Sequence, residues 1–195
     1  MMHKKIILAS QSPRRKQLLE WAEVNFEVMV SDTDESYPDH LTFSEIAIHI
    51  AKNKALKVVE MYKPSDPVLA ADTIVVCDEM VIGKPKDRED AIHIIRRLSG
   101  KTHQVITGVV ILHQEKEIAF ADITEVTFHE LNEEQIVFYV DKYKPYDKAG
   151  AYAIQEWIGV IGIKSIKGDF YNVMGLPVSK AVSYTHLTLP TNREV

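Results

Sequence analysis

The sequence predicts an α/β fold built on a mixed β-sheet, and three observations lead there. Short apolar runs of strand length alternate with longer stretches of helical spacing along most of the chain. Helix-start signals precede three of those stretches: Ser12-Pro13, Thr42 with Glu45, and Asn132 with Gln135. Polar turns at Asp78-Glu79 and around Gln114-Glu115 link strand-length runs directly, so the sheet is not purely parallel.

Taken in order, residues 4–9 (KKIILA) form a compact apolar run and read as a first buried strand. Ser12 then serves as N-cap and Pro13 as first residue of a helix reaching about Ala22, with Leu18, Leu19 and Trp21-Ala22 on its apolar face. Residues 26–30 alternate as a second strand, followed by a polar loop over 31–40. Ile46, Ile50, Leu56 and Val59 carry helical spacing through 42–61. Residues 68–77 make a long apolar strand interrupted only by Asp72 and Thr73, turning at Asp78-Glu79 into 80–83. The next helix, 87–98, has acids at its start, Arg96 and Arg97 near its end, and Gly100 as the stop. Residues 105–112 and 118–129 read as strands, 132–142 as a helix and 158–166 as a last strand. Val178 begins the final helix.

At 195 residues the chain suits one domain, or two lobes sharing one sheet. Its 46% apolar and 26% charged residues are ordinary for a globular protein. A net charge of -5 argues against nucleic-acid or anionic-membrane binding, where a basic surface supplies affinity. It does not argue against one phosphorylated small molecule, which a few local cations can hold. The single cysteine, Cys77, excludes an internal disulfide and lies in an apolar run, as a buried inert thiol does. The apolar stretch after Lys5 is too short for a signal peptide or membrane span, so a cytoplasmic protein is expected. Residues 183–195 (SYTHLTLPTNREV) show no periodicity continuing from 178–182 and read as a vector-derived tail. One functional domain over 1–182 is the corresponding expectation.

Four constellations carry chemistry. Ser10-Gln11-Ser12-Pro13-Arg14-Arg15 stands between a strand and a helix. Free N–H groups at a helix start, two hydroxyls and two guanidinium forks suit a phosphate; the alternative is an N-cap with two solvated arginines. Asp72 interrupts an apolar strand, where an unpaired carboxylate is costly. It reads as a general base or metal ligand, or as a structural carboxylate bonded to backbone N–H groups. Lys84, between Gly83 and Pro85, and Lys54, in 51–55, are each placed to reach a phosphate or simply to sit in solvent. Lys52 and Lys54 lie two apart on a helix, so at most one faces a site. In Asp147-Lys148-Ala149-Gly150-Ala151-Tyr152-Ala153-Ile154-Gln155, small residues admit close backbone approach and Gln155 offers an amide to a base edge; a tight packing loop is the alternative. Glu35 belongs to an acidic loop of the kind that holds a hard cation or merely faces water. The eight histidines show no zinc-ligand spacing and read as surface or satisfied core residues.

In this order and spacing, ILASQSPRRKQLL, AKNKA, AADTIVV, IGKPKD, RRLSGKTHQVITGV, DKAGAYAIQ and GDFYNVMGLPV resemble the Maf family of nucleotide pyrophosphatases, over about residues 4–182. The resemblance implies an elongated two-lobed α/β fold around a mixed sheet, related to inosine triphosphatases, with a cleft between the lobes and usually a homodimer. It implies hydrolysis of nucleoside triphosphates to monophosphate and pyrophosphate with a divalent cation, magnesium or manganese. By position, Asp72 matches the family's proton acceptor, and Arg14, Thr73 and Gln155 match positions that set substrate preference. Ser10, Ser12, Arg15, Lys54 and Lys84 match phosphate-side polar groups, while Glu35 matches an acid near the metal, with Asp72 as its partner there. The AYAIQ segment is similar to the branch that prefers dTTP and UTP. It departs from the familiar Gly-Ile-Gln-Gly, reading Ala153-Ile154-Gln155-Glu156. A non-catalytic, nucleotide-sensing regulator of septum formation is the rival expectation.

Overall fold

Strand pairing follows the apolar runs closely in the computed structural model, which describes residues 5–188. The order along the chain is β1 (Ile6–Leu8), α1 (Pro13–Trp21), β2 (Phe26–Val28), α2 (Phe43–Tyr62), β3 (Val68–Cys77), β4 (Met80–Ile82), α3 (Arg88–Leu98), β5 (Thr102–His113), β6 (Lys116–Phe128), α4 (Glu133–Tyr143), a 3-10 turn (Ala149–Ala151), α5 (Trp157–Gly162), β7 (Ile163–Lys167), α6 (Phe170–Val173) and α7 (Val178–Thr188). The sheet runs β2-β1-β3-β5-β6-β7, with β4 paired to β3. β1 pairs parallel with β2 and β3, whereas β3–β4 and β6–β7 are antiparallel, so the sheet is mixed as expected.

The chain forms two compact units. One holds residues 5–72, 108–121 and 175–188, and the other 73–107 and 122–174. β3, β5 and β6 each begin in one unit and end in the other.

In the first unit, α2 presents Ala47, Ala51, Ala55 and Val58 as one buried stripe. Ala51, Ala55 and Val58 pack on Ile7, Ala9, Val68, Ala70 and Val110 of the strands. The small side chains let helix and sheet approach closely. At Gly108 on β5 the approach is closest, since a Cβ there would lie 2.3 Å from the backbone of Ala47 and Ile48. α2 starts with a complete capping box: Glu45 N–H donates to Thr42 Oγ1, and Thr42 N–H donates to Glu45 Oε2 at 2.8 Å.

In the second unit, α3 buries Ala91, Ile92, Ile94, Ile95 and Leu98, and α4 buries Ile136, Tyr139 and Val140. Asn132 and Gln135 form the second capping box that the sequence signals. The β3–β4 hairpin turns on Asp78 and Glu79, both at positive φ (52° and 57°), the geometry that matches the twist of paired strands. Cys77 is buried at its edge, and burial pushes its thiol pKa up, as expected of an inert residue.

Two expectations change. The run 158–166 is not one strand: Trp157–Gly162 is helical and only Ile163–Lys167 pairs with β6. A short apolar run does not distinguish strand from buried helix. Ile158 and Gly162, four apart, are the residues this helix buries, which gives it a single packed face. The last helix also passes Val182 and continues to Thr188. Ala181 and Thr185 lie one turn apart and are buried, Thr185 Oγ1 donates to Val182 O at 2.8 Å, and the Tyr184 ring rests 5.0 Å from that of Phe120. The first part of the expected tail is therefore packed helix, while 189–195 lie outside the described residues, as do 1–4. No described helix is long and apolar enough to cross a membrane.

Candidate active site

In the first unit the strand β1 ends at Leu8 and the chain passes through Ser10 to the start of α1. Ser12 caps this helix, its Oγ accepting from Arg15 N–H, and Pro13 opens it with φ already suited to a helix. Arg15 is not solvated: it is 8% exposed, its Nε donates to Gly175 O at 2.7 Å and its Nη1 to Ser10 Oγ at 3.1 Å. Ser10 Oγ also accepts from Ser12 N–H. A guanidinium fixed at two points by backbone and hydroxyl is pre-oriented for an anion. Arg14, the next residue back, is half-buried.

Asp72 answers the question of how a carboxylate survives in an apolar strand. β3 is buried along its length except at Asp72 and Thr73, which are half-buried. Asp72 Oδ1 accepts from Lys54 Nζ at 2.6 Å, and the same ammonium donates to Glu35 Oε1 at 2.8 Å. Lys54 thus bridges two carboxylates, with side-chain exposures of 13% at Asp72, 19% at Lys54 and 49% at Glu35. Lys52 faces elsewhere and pairs with Glu117 at 2.9 Å. Burial pulls the Arg15 guanidinium below its ordinary pKa; the charge of Asp72 works against that, Arg14 adds to it, and Glu35 again opposes it. Ser10, Ser12, Arg14, Arg15, Glu35, Lys54 and Asp72 are thereby one electrostatically coupled group, with three cations against two carboxylates.

The second unit holds the other expected residues. Thr73 and Asp72 are consecutive in an extended strand, so their side chains point to opposite faces. Thr73 Oγ1 lies 2.9 Å from Thr107 Oγ1, and Thr107 Oγ1 donates to Asn172 O at 3.1 Å. A hydroxyl has one proton, so Thr107 spends its own on Asn172 and Thr73 is the donor in the contact between them. Asn172 is fully buried and donates through Nδ2 to Val105 O and Thr124 Oγ1. Lys84 is exposed on the loop after β4, and the carbonyl of Gly83 accepts from Gly150 N–H at 3.1 Å. That bond ties the 83–85 loop to the segment carrying Gln155. Gly150 approaches β3 too closely for a side chain, since a Cβ would lie 2.9 Å from Val75 Cγ2.

Gln155 is exposed, whereas Ala151, Tyr152, Ala153 and Ile154 before it are all buried. Ala151 sits at φ 57°, a conformation costly for a residue with a Cβ, on the order of 1 kcal/mol. Several residues that secure this turn escaped the sequence reading. Tyr139 of α4 is fully buried with its hydroxyl against the turn, accepting from Ala153 N–H at 3.1 Å and donating to Glu156 Oε2 at 2.5 Å. Lys148 is 8% exposed, with Nζ 2.8 Å from Asp147 Oδ1 and 3.6 Å from Glu156 Oε1. His103, read as surface or satisfied core, is 2% exposed and bonds Tyr152 Oη through Nε2 at 2.7 Å, while its Nδ1 has no protein partner among the described residues. His103, Phe128 and Tyr152 pack edge to face, with centroids 5.0–5.4 Å apart. The one sequence signal for these was the departure at Glu156; Tyr139 and His103 carried none, being apolar-face residues of a helix and a strand.

The model of the Maf-like protein family matches residues 5–186. The dTTP/UTP pyrophosphatase of Cytophaga hutchinsonii is 54% identical over 177 residues, spanning 91% of this chain and 81% of that protein. The protein of the same name from Parabacteroides distasonis is 51% identical, over 90% of this chain and 92% of its own length. That from Porphyromonas gingivalis is 48% identical, over 89% of each. Among solved structures, a Ham1 protein of Staphylococcus aureus shares 13% identity over 65% of this chain and 73% of that one, with a TM-score of 0.44, a likeness too distant to carry function. With a family match covering nearly all the described residues and relatives at about half identity across most of their length, the chain belongs to the Maf-like protein family.

Proposed function

We propose that the protein is a nucleoside triphosphate pyrophosphatase that cleaves dTTP and UTP between the α and β phosphates. The observation that supports this most is the pairing of Asp72 with Lys54 and Glu35 within electrostatic reach of Arg15. A half-buried carboxylate beside fixed cations suits activation of water next to a polyanion. The relatives called dTTP/UTP pyrophosphatases, alike over most of this chain, support the substrate class.

In this reading Ser10, Ser12, Arg15, Lys54 and Lys84 bind the phosphates, and the N–H groups at the start of α1 add their partial positive charge. Asp72 accepts a proton from water as its oxygen bonds to the α phosphorus. The bond from that phosphorus to the bridging oxygen breaks, and pyrophosphate leaves with the electron pair. Arg14, Thr73 and Gln155 choose the base. A glutamine amide offers one donor and one acceptor, the complement of the imide edge of uracil or thymine.

The oxygen donors of Asp72 and Glu35 fit a magnesium or manganese ion, which typically takes one or two carboxylates and completes its shell with substrate phosphates and water. Bound there, such an ion would offset phosphate charge and lower the proton affinity of water. Lys54, whose ammonium sits between the two carboxylates, would yield them to the ion and turn toward phosphate. A cytoplasmic homodimer completes the reading.

A panel of dTTP, UTP, CTP, GTP, ATP and 7-methyl-GTP with magnesium or manganese, scoring pyrophosphate and orthophosphate separately, tests it. The expected result is metal-dependent pyrophosphate release, fastest with dTTP or UTP. Orthophosphate as the first product, or binding without any release, contradicts it.

A further inference from the structure

The turn that displays Gln155 is held by a hydrogen-bonded hub unusual in its economy. One hydroxyl, that of Tyr139, takes the backbone N–H of Ala153 and gives its proton to the carboxylate of Glu156. Gln155 lies between those two anchor points. Ala153 O accepts from Glu156 N–H at 3.1 Å, closing the turn, and Glu156 O accepts from Gly159 N–H as α5 begins. The other carboxylate oxygen of Glu156 lies 3.6 Å from the ammonium of Lys148, an almost fully buried lysine that also pairs with Asp147 at 2.8 Å.

We infer that Tyr139 and Glu156 form a clamp that positions Gln155 and thereby sets how sharply the enzyme discriminates between bases. The inference rests on the reading of Gln155 as the base-selecting residue. Neither Tyr139 nor Glu156 needs to touch substrate; both act through Gln155, as positioning residues. Three features favour this over simple packing. The turn buries four residues in succession and exposes the fifth, so its conformation aims one side chain outward. The anchors attach to backbone and to side chain on either side of that residue, which fixes its rotation as well as its position. The anchoring groups are charged or hydroxylic, Tyr139 fully buried and Glu156 half-buried, so each has hydrogen bonds to lose if the turn moves away. Selectivity based on a hydrogen-bonding side chain depends on that side chain being unable to adapt, because an adaptable amide would satisfy a wrong edge as well.

UTP and CTP differ at the pyrimidine edge alone, where CTP exchanges an acceptor for a donor and loses the ring N–H. The test measures kcat and KM for both nucleotides, with calorimetric affinities and melting temperatures, in wild type, Tyr139→Phe, Glu156→Ala, Glu156→Gln and Gln155→Ala. Tyr139→Phe and Glu156→Ala are expected to lower the UTP-to-CTP ratio of kcat/KM by about tenfold, through KM for UTP, with CTP changed by less than about twofold. Glu156→Gln still accepts from the Tyr139 hydroxyl and is expected to keep the ratio within about threefold of wild type. Equal losses on both nucleotides, or a lower melting temperature with an unchanged ratio, would overturn the clamp. If Gln155→Ala collapses the ratio while the clamp variants preserve it, the clamp fails and base reading stands. If Gln155→Ala leaves the ratio intact, base reading by Gln155 fails and takes the clamp with it. The affinity ratio needs no turnover and decides the matter even for variants with little activity.

Discussion

Substituting alanine for Gly159 sets two magnitudes of opposite sign against each other. Gly159 lies inside α5, and replacing glycine by alanine within a helix ordinarily stabilises it by about 0.8–1 kcal/mol. Here an added Cβ would fall 1.6 Å from Ile154 O and 2.6 Å from Ile154 C. A comfortable carbon–oxygen contact needs about 3.3 Å, so helix and turn must separate by roughly 1.7 Å. Forcing in one methyl against backbone typically costs about 1–3 kcal/mol, and an overlap this deep belongs in the upper part of that range, about 2–3, which outweighs the propensity gain. The expected net loss of about 1–2 kcal/mol lowers the melting temperature by roughly 2–8 °C in a protein of this size. The displaced atom belongs to the residue next to Gln155, and a shift of about 1 Å in a positioned group can cost on the order of a hundredfold in rate. Thermal melts and kcat/KM for UTP check both effects. A Gly159→Ala protein that melts higher than wild type and keeps its preference for UTP would refute the packing argument.

Three further outcomes follow from the same geometry. Lys54→Met leaves Asp72 and Glu35 without their shared ammonium and is expected to cost about 1–3 kcal/mol, less than a fully buried pair because the site is partly open; it should cut kcat for UTP at least about a hundredfold, and near-normal turnover would remove Lys54 from the site. Asp72→Asn is expected to abolish pyrophosphate release while nucleotide affinity, measured calorimetrically, changes by less than about tenfold; retained turnover would show that Asp72 is not the base. Burial pulls the His103 pKa down to about 4 from 6.5, so the unfolded chain binds the extra proton between those values. The stabilisation is complete above about pH 6.5 and is lost as pH falls toward 4, by up to about 3 kcal/mol. Denaturant midpoints at pH 7 and pH 4.5 for wild type and His103→Gln check this, with the variant expected to lose markedly less stability on acidification.

Local signals were legible in the sequence wherever the physics is local. The Ser12 cap, both capping boxes, and the bounds of β3 follow from residues within a few positions of one another. Asp72 announced itself because a carboxylate in an apolar strand requires a partner, though its sequence context did not say which. Lys54 looked like any helical lysine, since what distinguishes it is an acid 18 positions away on another element. The same holds for Arg15, whose single guanidinium turns out to be buried against Ser10 and the carbonyl of Gly175. α5 was misread because WIGVIG is apolar with no strong period, and the close approach of Gly159 to the Ile154 carbonyl is a tertiary fact. The Tyr139 hub was invisible for a related reason: a tyrosine on the apolar face of α4 looks like core until its hydroxyl is traced to a turn 14 residues on.

Hydrolysis of UTP in water enriched in oxygen-18 tests the central claim most directly, because it reports which phosphorus the water oxygen joins. Attack at the α phosphorus with Asp72 taking the proton predicts one heavy oxygen in UMP and none in the pyrophosphate, with labelled UMP lost in Asp72→Asn. Heavy oxygen in pyrophosphate, or in orthophosphate released first, would place the attack at another phosphorus and contradict the account.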